Sequence, residues 1–278
     1  MRATSRVAGV SYNTVCSLLE DAGKACIEFH DATVRNVRAR RIQCDEIWSF
    51  CYAKQKNIET AKAAPEMAGD LWTWIGLDAD SKLIISYLVG NRGGHAALAL
   101  MQDMADRLTD RVQLTTDGHK AYLAAVEAAF GADVDYAMLV KVFGDAGVPP
   151  GRYSPAPCVG SKKERIEGNP DQQHISTSYV ERQNLNLRMG MRRFTRLTNA
   201  FSKSAEAHYH MMALYVVFHN FCRDHKTLRM TPAEAAGLIK SAMTVSDIVA
   251  LIDAGAEPPK PRGPYKPRQS KPVKQALI

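Results

Sequence analysis

Asp45, Asp117 and Glu181 are the residues of this 278-residue chain whose type and setting point to chemistry. Asp45, followed by Glu46, falls inside an apolar, aromatic-rich stretch from Ile42 to Tyr52 that alternates as a strand does. Packing explains an acid there poorly, because an unpaired buried charge is costly. Asp117 closes a short strand, Val112 to Asp117, immediately before Gly118. Glu181 lies in the first turn of a helical pattern that opens at Ser178. If the strands carrying Asp45 and Asp117 are neighbours, the two acids approach at the sheet, and the helix carrying Glu181 needs only to cross that end. Carboxylates clustered without soft ligands favour hard, oxygen-binding cations, Mg²⁺ or Mn²⁺. Two such ions roughly 3.5–4 Å apart can hold the attacking and leaving oxygens of an in-line phosphoryl displacement.

Each acid also has a plainer explanation. Asp117-Gly118 after a strand is an ordinary turn signal. Ser178-Tyr179-Val180-Glu181 fits a capping box, with Glu181 bonding back to the cap. Asp45 could be a satisfied edge-strand acid, the weakest of the three alternatives. The chemical case therefore rests on the set. Arg188 strengthens it: seven residues after Glu181 is about two helical turns, so both project from one face. Asn184 and Asn186 lie close by, and a cation with two amides beside a metal carboxylate suits a site that grips phosphates. A solvated helix with a salt-bridged stripe is the alternative there.

The elements that must position these residues read as an α/β order. Residues 1 to about 30 are expected to be helical, with Ser11 as N-cap, an apolar stripe of Val15, Leu18 and Leu19 up to Gly23, and a turn at Gly9 after a short first helix. That pattern fits a helix-turn-helix, with the second helix entering a DNA groove, as well as it fits an ordinary helical hairpin. The first helix reads as lacking its beginning. Strands follow at 42–52, 70–77 and 83–89, the last two flanking a polar hairpin turn at Asp78–Lys82. A helix over 95–108, the Asp117 strand, a helix over 121–130 and a strand over 134–143 come next. Residues 144–173, dense in Pro and Gly, are expected to be loop. A helix from Ser178 to about Arg193, a buried one over 202–223 and a short one from Thr231 complete the pattern. Three antiparallel strands followed by strands alternating with helices predict a mixed sheet covered by helices, the order of elements in an RNase H-like fold.

Composition bounds the rest. With 46% hydrophobic and 23% charged residues, a disordered chain is excluded. No apolar run approaches the roughly 18 residues of a membrane span, and no signal core follows Met1, so a soluble, cytoplasmic protein is expected. Six scattered cysteines without a Cys-x-x-Cys pair speak against structural zinc and for reduced thiols. The formal charge of +7 is concentrated. The tail from Glu257 holds six Lys or Arg against one acid, and Glu181–Lys203 holds Arg182, Arg188, Arg192, Arg193, Arg196 and Lys203 against Glu181. Nucleic acid is the partner class such clusters favour. The Pro-rich tail is expected to be disordered, an electrostatic arm at most. Arg192, Arg193 and Arg196 are placed to contact a DNA backbone. His119, His174, His208 and His210 could serve as bases, but two-metal chemistry needs little such help, and His208 and His210 suit a core. Trp48, Trp72 and Trp74 fit strand-pair packing better than base stacking.

Three blocks carry a resemblance: Cys44-Asp45-Glu46-Ile47-Trp48-Ser49-Phe50, Thr115-Thr116-Asp117-Gly118-His119-Lys120-Ala121-Tyr122, and Ser178-Tyr179-Val180-Glu181 running on to Arg188. Together they resemble the DDE transposases, and among these the insertion-sequence-one family, with Met191–Lys203 and His219–Pro232 as further typical stretches. The resemblance spans about residues 42 to 238. It implies that Asp45, Asp117 and Glu181 bind Mg²⁺ or Mn²⁺ (two ions) and that Arg188 accompanies Glu181. It also implies double-stranded DNA, as transposon ends and target, for a substrate. Arg182, Asn184, Arg188, Arg192, Arg193 and Arg196 would be the DNA contacts, on an assembly of two or more subunits active at the bacterial nucleoid. Such proteins carry an N-terminal zinc-finger and helix-turn-helix region, of which this chain carries the later part. The expected division is a partial helix-turn-helix over 1–38, a catalytic domain over 39–240 and a short helix with the basic tail over 241–278. A related nuclease, or a truncated, non-catalytic regulator of transposition, would have the same acids or the same charge.

Overall fold

The computed structural model describes residues 1–144, 158–195 and 197–256; Arg196 and the basic tail from residue 257 lie outside the described residues. The elements run α1 (Arg2–Ala8), α2 (Tyr12–Thr33), β1 (Arg41–Cys51), β2 (Gly69–Asp78), β3 (Ile84–Gly90), α3 (Gly94–Ala105), β4 (Val112–Asp117), α4 (Ala121–Phe130), β5 (Val134–Phe143), β6 (Cys158–Glu167), α5 (Ser178–Gly190), α6 (Ala205–Val217), α7 (Pro232–Ala235) and α8 (Val245–Gly255). The strands form one mixed sheet in the order β3-β2-β1-β4-β5-β6. β1, β2 and β3 are an antiparallel meander, β4 and β5 lie parallel to β1, and β6 returns antiparallel on the far edge.

Alternation along β1 divides the core. Ile42 and Cys44 pack with Leu100, Met101 and Met104 of α3 and Tyr122 of α4. Ile47, on the other face, packs with Val180 and Leu187 of α5 and Met212 and Val216 of α6. A side-chain period of two makes this division obligatory: residues one apart on a strand belong to opposite layers. The α/β architecture and its mixed sheet agree with the sequence reading.

The N-terminal segment is two helices joined at Gly9, which takes the left-handed backbone (φ 66°) that closes α1. Ser11 caps α2, its hydroxyl accepting from the Thr14 amide at 3.1 Å. α2 runs through Gly23 to Thr33, close to the expected helical limit near residue 30. Gly23 is where it crosses α6: a β-carbon there would lie 2.3 Å from the His210 β-carbon, so only glycine permits the approach. Cys26 and Val34 belong to the same core as the sheet, whereas α1 buries no residue.

Residues 158–167, expected as loop, form β6. Its residues are almost all exposed and include Lys162, Lys163, Glu164, Arg165 and Glu167. Pairing with β5 builds it, not an apolar face, so hydrophobic periodicity had nothing to report. The expected helix over 202–223 is α6 followed by a π turn, Phe218–Cys222. The wider turn brings Asn220 to the edge of β3, where its amide donates to the Ile84 carbonyl (2.9 Å) and accepts from the Ile84 N–H (3.0 Å). No helix among the described residues is long and apolar enough to cross a membrane.

Candidate active site

β1 and β4 pair only from Arg41↔Gln113 to Cys44↔Thr116, while β1 continues beside β2 to Cys51. From Asp45 to Phe50, therefore, no strand pairs with the β4-side edge of β1, until Cys51 bridges to Ser202. Asp117, the last residue of β4, stands at the floor of the resulting notch. On its other side β5 also outruns β4, since the β4 pairing ends at Asp117↔Leu139 and β5 continues to Phe143.

Carboxylate oxygens of Asp45, Glu46 and Asp117 converge in this notch, all within 4.8 Å of one another. Asp45 and Asp117 meet as the strand order predicts. Glu46 is the third member, and sequence reasoning missed it because neighbours on a strand face opposite layers. Past the end of β4, however, there is no strand to separate the layers, and a side chain from either face reaches the gap. The available signal was the Asp-Glu pair placed beyond the reach of a six-residue partner strand. Crowding raises the proton affinity of these acids. Burial first, and then the charges of Asp117 and Glu46, push the Asp45 carboxyl up to about 7, against the opposing Asn184 bond. Burial and the Asp117 charge likewise raise Glu46, against the pull of Arg92.

Glu46 is held firmly. Its side chain is 1% exposed; Arg92 reaches it through NH2 (2.6 Å) and Nε (2.8 Å), and the Tyr122 hydroxyl donates at 3.2 Å. Asp117 Oδ1 accepts from the His119 amide at 3.0 Å, the ordinary Asx turn. His119 is thus a neighbour of the notch, whereas His208 is buried between Ser202 Oγ (2.8 Å) and Thr73 Oγ1 (3.4 Å), the core role expected of it.

α5 lies across the notch, and β1 fixes where it begins. The Gln43 side-chain oxygen accepts from the Tyr179 and Val180 amides at 2.8 and 3.1 Å, satisfying two donors that a helix start leaves orphaned. The Ser178 capping box, the plainer alternative for Glu181, does not form. The helix is preceded by Thr177, whose hydroxyl donates to Glu181 Oε1 at 2.5 Å. One turn on, Asn184 donates to Asp45 Oδ2 at 2.8 Å. Glu181 is not in the converging trio; its carboxylate bonds Lys141 of β5 at 2.8 Å. Glu181, Asn184 and Arg188 share one face of α5 by their spacing.

The other basic residues divide by setting. Arg182 and Arg192 are exposed, and Arg188 is half-buried. Asn184, expected on DNA, donates to Asp45. Arg193 donates to the Ala207 carbonyl (2.9 Å) and Ser202 Oγ (3.3 Å), bracing the segment before α6. The residues of the notch suit a hard divalent cation: they are oxygen donors without His or Cys, mutually repelling, and beside them Asn184 Oδ1 is buried without a hydrogen-bond partner.

The family model described as IS1 transposase matches residues 160–222, a segment that includes α5 and α6 and under a quarter of the chain. A comparison with curated proteins finds no match. Among solved structures, the chain is similar to a piggyBac transposase in a synaptic complex with hairpin DNA, at 10% identity and a TM-score of 0.31. That alignment covers 81% of this chain and 55% of the other, so this chain spans about half its length.

Proposed function

We propose that the protein is a DNA transposase of the DDE type, with an RNase H-like catalytic body over 39–240 and Asp45, Asp117 and Glu181 as its acidic triad. The observation that carries this reading is the meeting of Asp45 and Asp117 under the helix that bears Glu181; that helix, though neither aspartate, lies in the segment 160–222 that matches a transposase family. The strand order, an antiparallel meander followed by parallel strands, supports the fold assignment. Mg²⁺ or Mn²⁺, held by Asp45 and Asp117 with Glu181 brought to them, would supply Lewis-acid stabilisation of charge on the reacting phosphate.

The chain's own residues do the rest. Gln43 sets the position of α5, and Asn184 orients the Asp45 carboxylate. Lys141 and Thr177 hold Glu181 beside the notch until substrate and cation compete for it. Arg188, on the same helical face, and the exposed Arg182 and Arg192 grip backbone phosphates and set the strand against the carboxylates; Arg196 follows them in sequence. The partners are transposon-end and target DNA, with two or more subunits assembling on paired ends. Residues 1–38, with α1 free of core contacts and α2 following the Gly9 turn, are proposed as a docking region for duplex DNA.

A strand-transfer assay with pre-cleaved ends and Mg²⁺ tests this. Joined products are expected from the wild-type chain and only background from Asp45→Ala, Asp117→Ala and Glu181→Ala. Cutting without joining would make the protein a nuclease. DNA binding without any metal-dependent product would make it a regulator.

A further inference from the structure

A second feature begins at the notch and leads away from it. Arg92, the partner of Glu46, lies over the Trp72 ring at 4.5 Å from its centroid. Trp72 faces Trp48 directly in the β1–β2 register, and such pairs have β-carbons about 4.5–5.5 Å apart. Trp48 continues to Phe50 (5.8 Å between centroids) and Phe50 to Phe201 (4.9 Å, rings inclined by 31°). Lys54 stands over both Trp48 (5.6 Å) and Phe50 (5.8 Å), and Lys203 over Phe201 at 3.1 Å. The result is a continuous row of rings, each carrying a cation, that starts at a buried carboxylate of the notch.

Core packing accounts for such a row incompletely. Trp48, Trp72 and Phe201 are only partly buried, whereas Phe50, which links Trp48 to Phe201, is buried and Trp74 is wholly covered. Among the described residues neither Lys54 nor Lys203 has an acidic partner, so each leaves its charge directed at a ring and at solvent. Asp70, opposite Phe50 in register, bonds the Gln55 amide at 3.1 Å. Rings that stack on bases, alternated with cations that neutralise phosphates, recognise a strand whose bases are unpaired; a duplex keeps its bases out of reach.

We propose that Trp72, Trp48 and Phe201, joined through the buried Phe50, form with Arg92, Lys54 and Lys203 a binding track for single-stranded DNA leading out of the carboxylate notch. Its direction rests on the reading of the notch as a DNA-processing site; the binding itself does not.

Titration of the full chain with a short oligothymidylate, without divalent ions, tests the track by tryptophan emission. The chain has three tryptophans and Trp74 is buried, so Trp48 and Trp72 report. Saturable quenching is expected, weaker with a duplex of the same length and absent with inorganic polyphosphate. Trp72→Leu should weaken oligothymidylate binding about 5- to 150-fold, the worth of one stacked base. Should that variant misfold, the double substitution Lys54→Ala and Lys203→Ala, at the surface, should flatten the log affinity against log salt slope by about 1.4. Binding is read without divalent ions and without any strand transfer, which separates failure of the track from failure of the notch. No saturable quenching, equal quenching by polyphosphate or duplex, or an unchanged salt slope in the double variant would overturn the proposal.

Discussion

Asp45 shows the conflict that an acidic notch imposes on a residue. It is pressed toward its protonated form by burial and by two facing acids, and a neutral side chain of the same shape would be easier to bury. Asp45→Asn is therefore expected to raise the unfolding free energy of the ion-free protein by about 1–3 kcal/mol, in the range typical for relieving a buried, like-charge contact. The same change should abolish the rise in melting temperature that Mn²⁺ gives the wild type, a rise worth about 2.7 kcal/mol at a hundredfold excess over Kd. Thermal melts with and without Mn²⁺ check both halves, and loss of stability without the ion would count against the crowding. Asp45 was legible because the sequence set an acid among apolar residues. Glu46 was not, because alternation assigns it to the layer opposite Asp45, and the end of β4, where carboxylates from both layers can meet, is visible only in the fold. Glu181 was placed on the right helix, but its bond to Lys141 depends on β5 passing beside α5, which no local pattern encodes.

At the scale of elements, long-range side-chain contacts set the positions of α5 and of the β3 edge, and these are the parts that periodicity could not supply. Gln43 is an ordinary polar residue in a strand until its carbonyl is seen to receive two amides from α5. Gln43→Ala leaves those donors without partners and should cost about 1–3 kcal/mol in urea denaturation. It should also lower Mn²⁺ affinity about 10- to 100-fold, as losing an outer support of a metal site does. A Gln43→Ala protein with full metal affinity would mean that α5 needs no anchor on β1. Asn220 plays the corresponding part at the β3 edge of the sheet, bonding both backbone groups of Ile84 from the π turn. Asn220→Ala should cost about 1–3 kcal/mol, because it leaves the Ile84 N–H without a partner beside a void while His30 still holds the carbonyl, and should leave Mn²⁺ binding unchanged. Helices with an apolar stripe and strands with apolar alternation were legible. β6 was not, since an exposed, charged strand owes its existence to the neighbour it pairs with.

Three histidines tie the stability of the whole molecule to pH. His30 bonds the Ile84 carbonyl, His219 the Lys82 carbonyl, and His208 lies between Ser202 and Thr73; each joins a different helical segment to the sheet or to the segment before α6. Burial above all pushes His30 and His219 down to about 4 and His208 down to about 3. All three are therefore neutral in the folded protein while the unfolded chain, with an ordinary histidine value near 6.5, takes up protons below that pH. Stability is present above about pH 6.5 and is lost as pH falls toward 4, because the unfolded state binds more protons throughout that window. The raised carboxyls of Asp45 and Glu46 work in the opposite sense, so the net slope is shallower than three histidines alone would give. Replacing one histidine isolates its share. The stability gap between wild type and His208→Gln, measured by urea denaturation, should be largest near neutrality. It should shrink as pH falls below about 6.5, by about 2 kcal/mol at pH 5. The wild type loses there what its buried imidazole contributed, and the variant has nothing to protonate. A gap that stays level between pH 7 and 5 would mean that His208 accepts its proton inside the folded protein, and that the contact joining α6 to β2 opens in the native state.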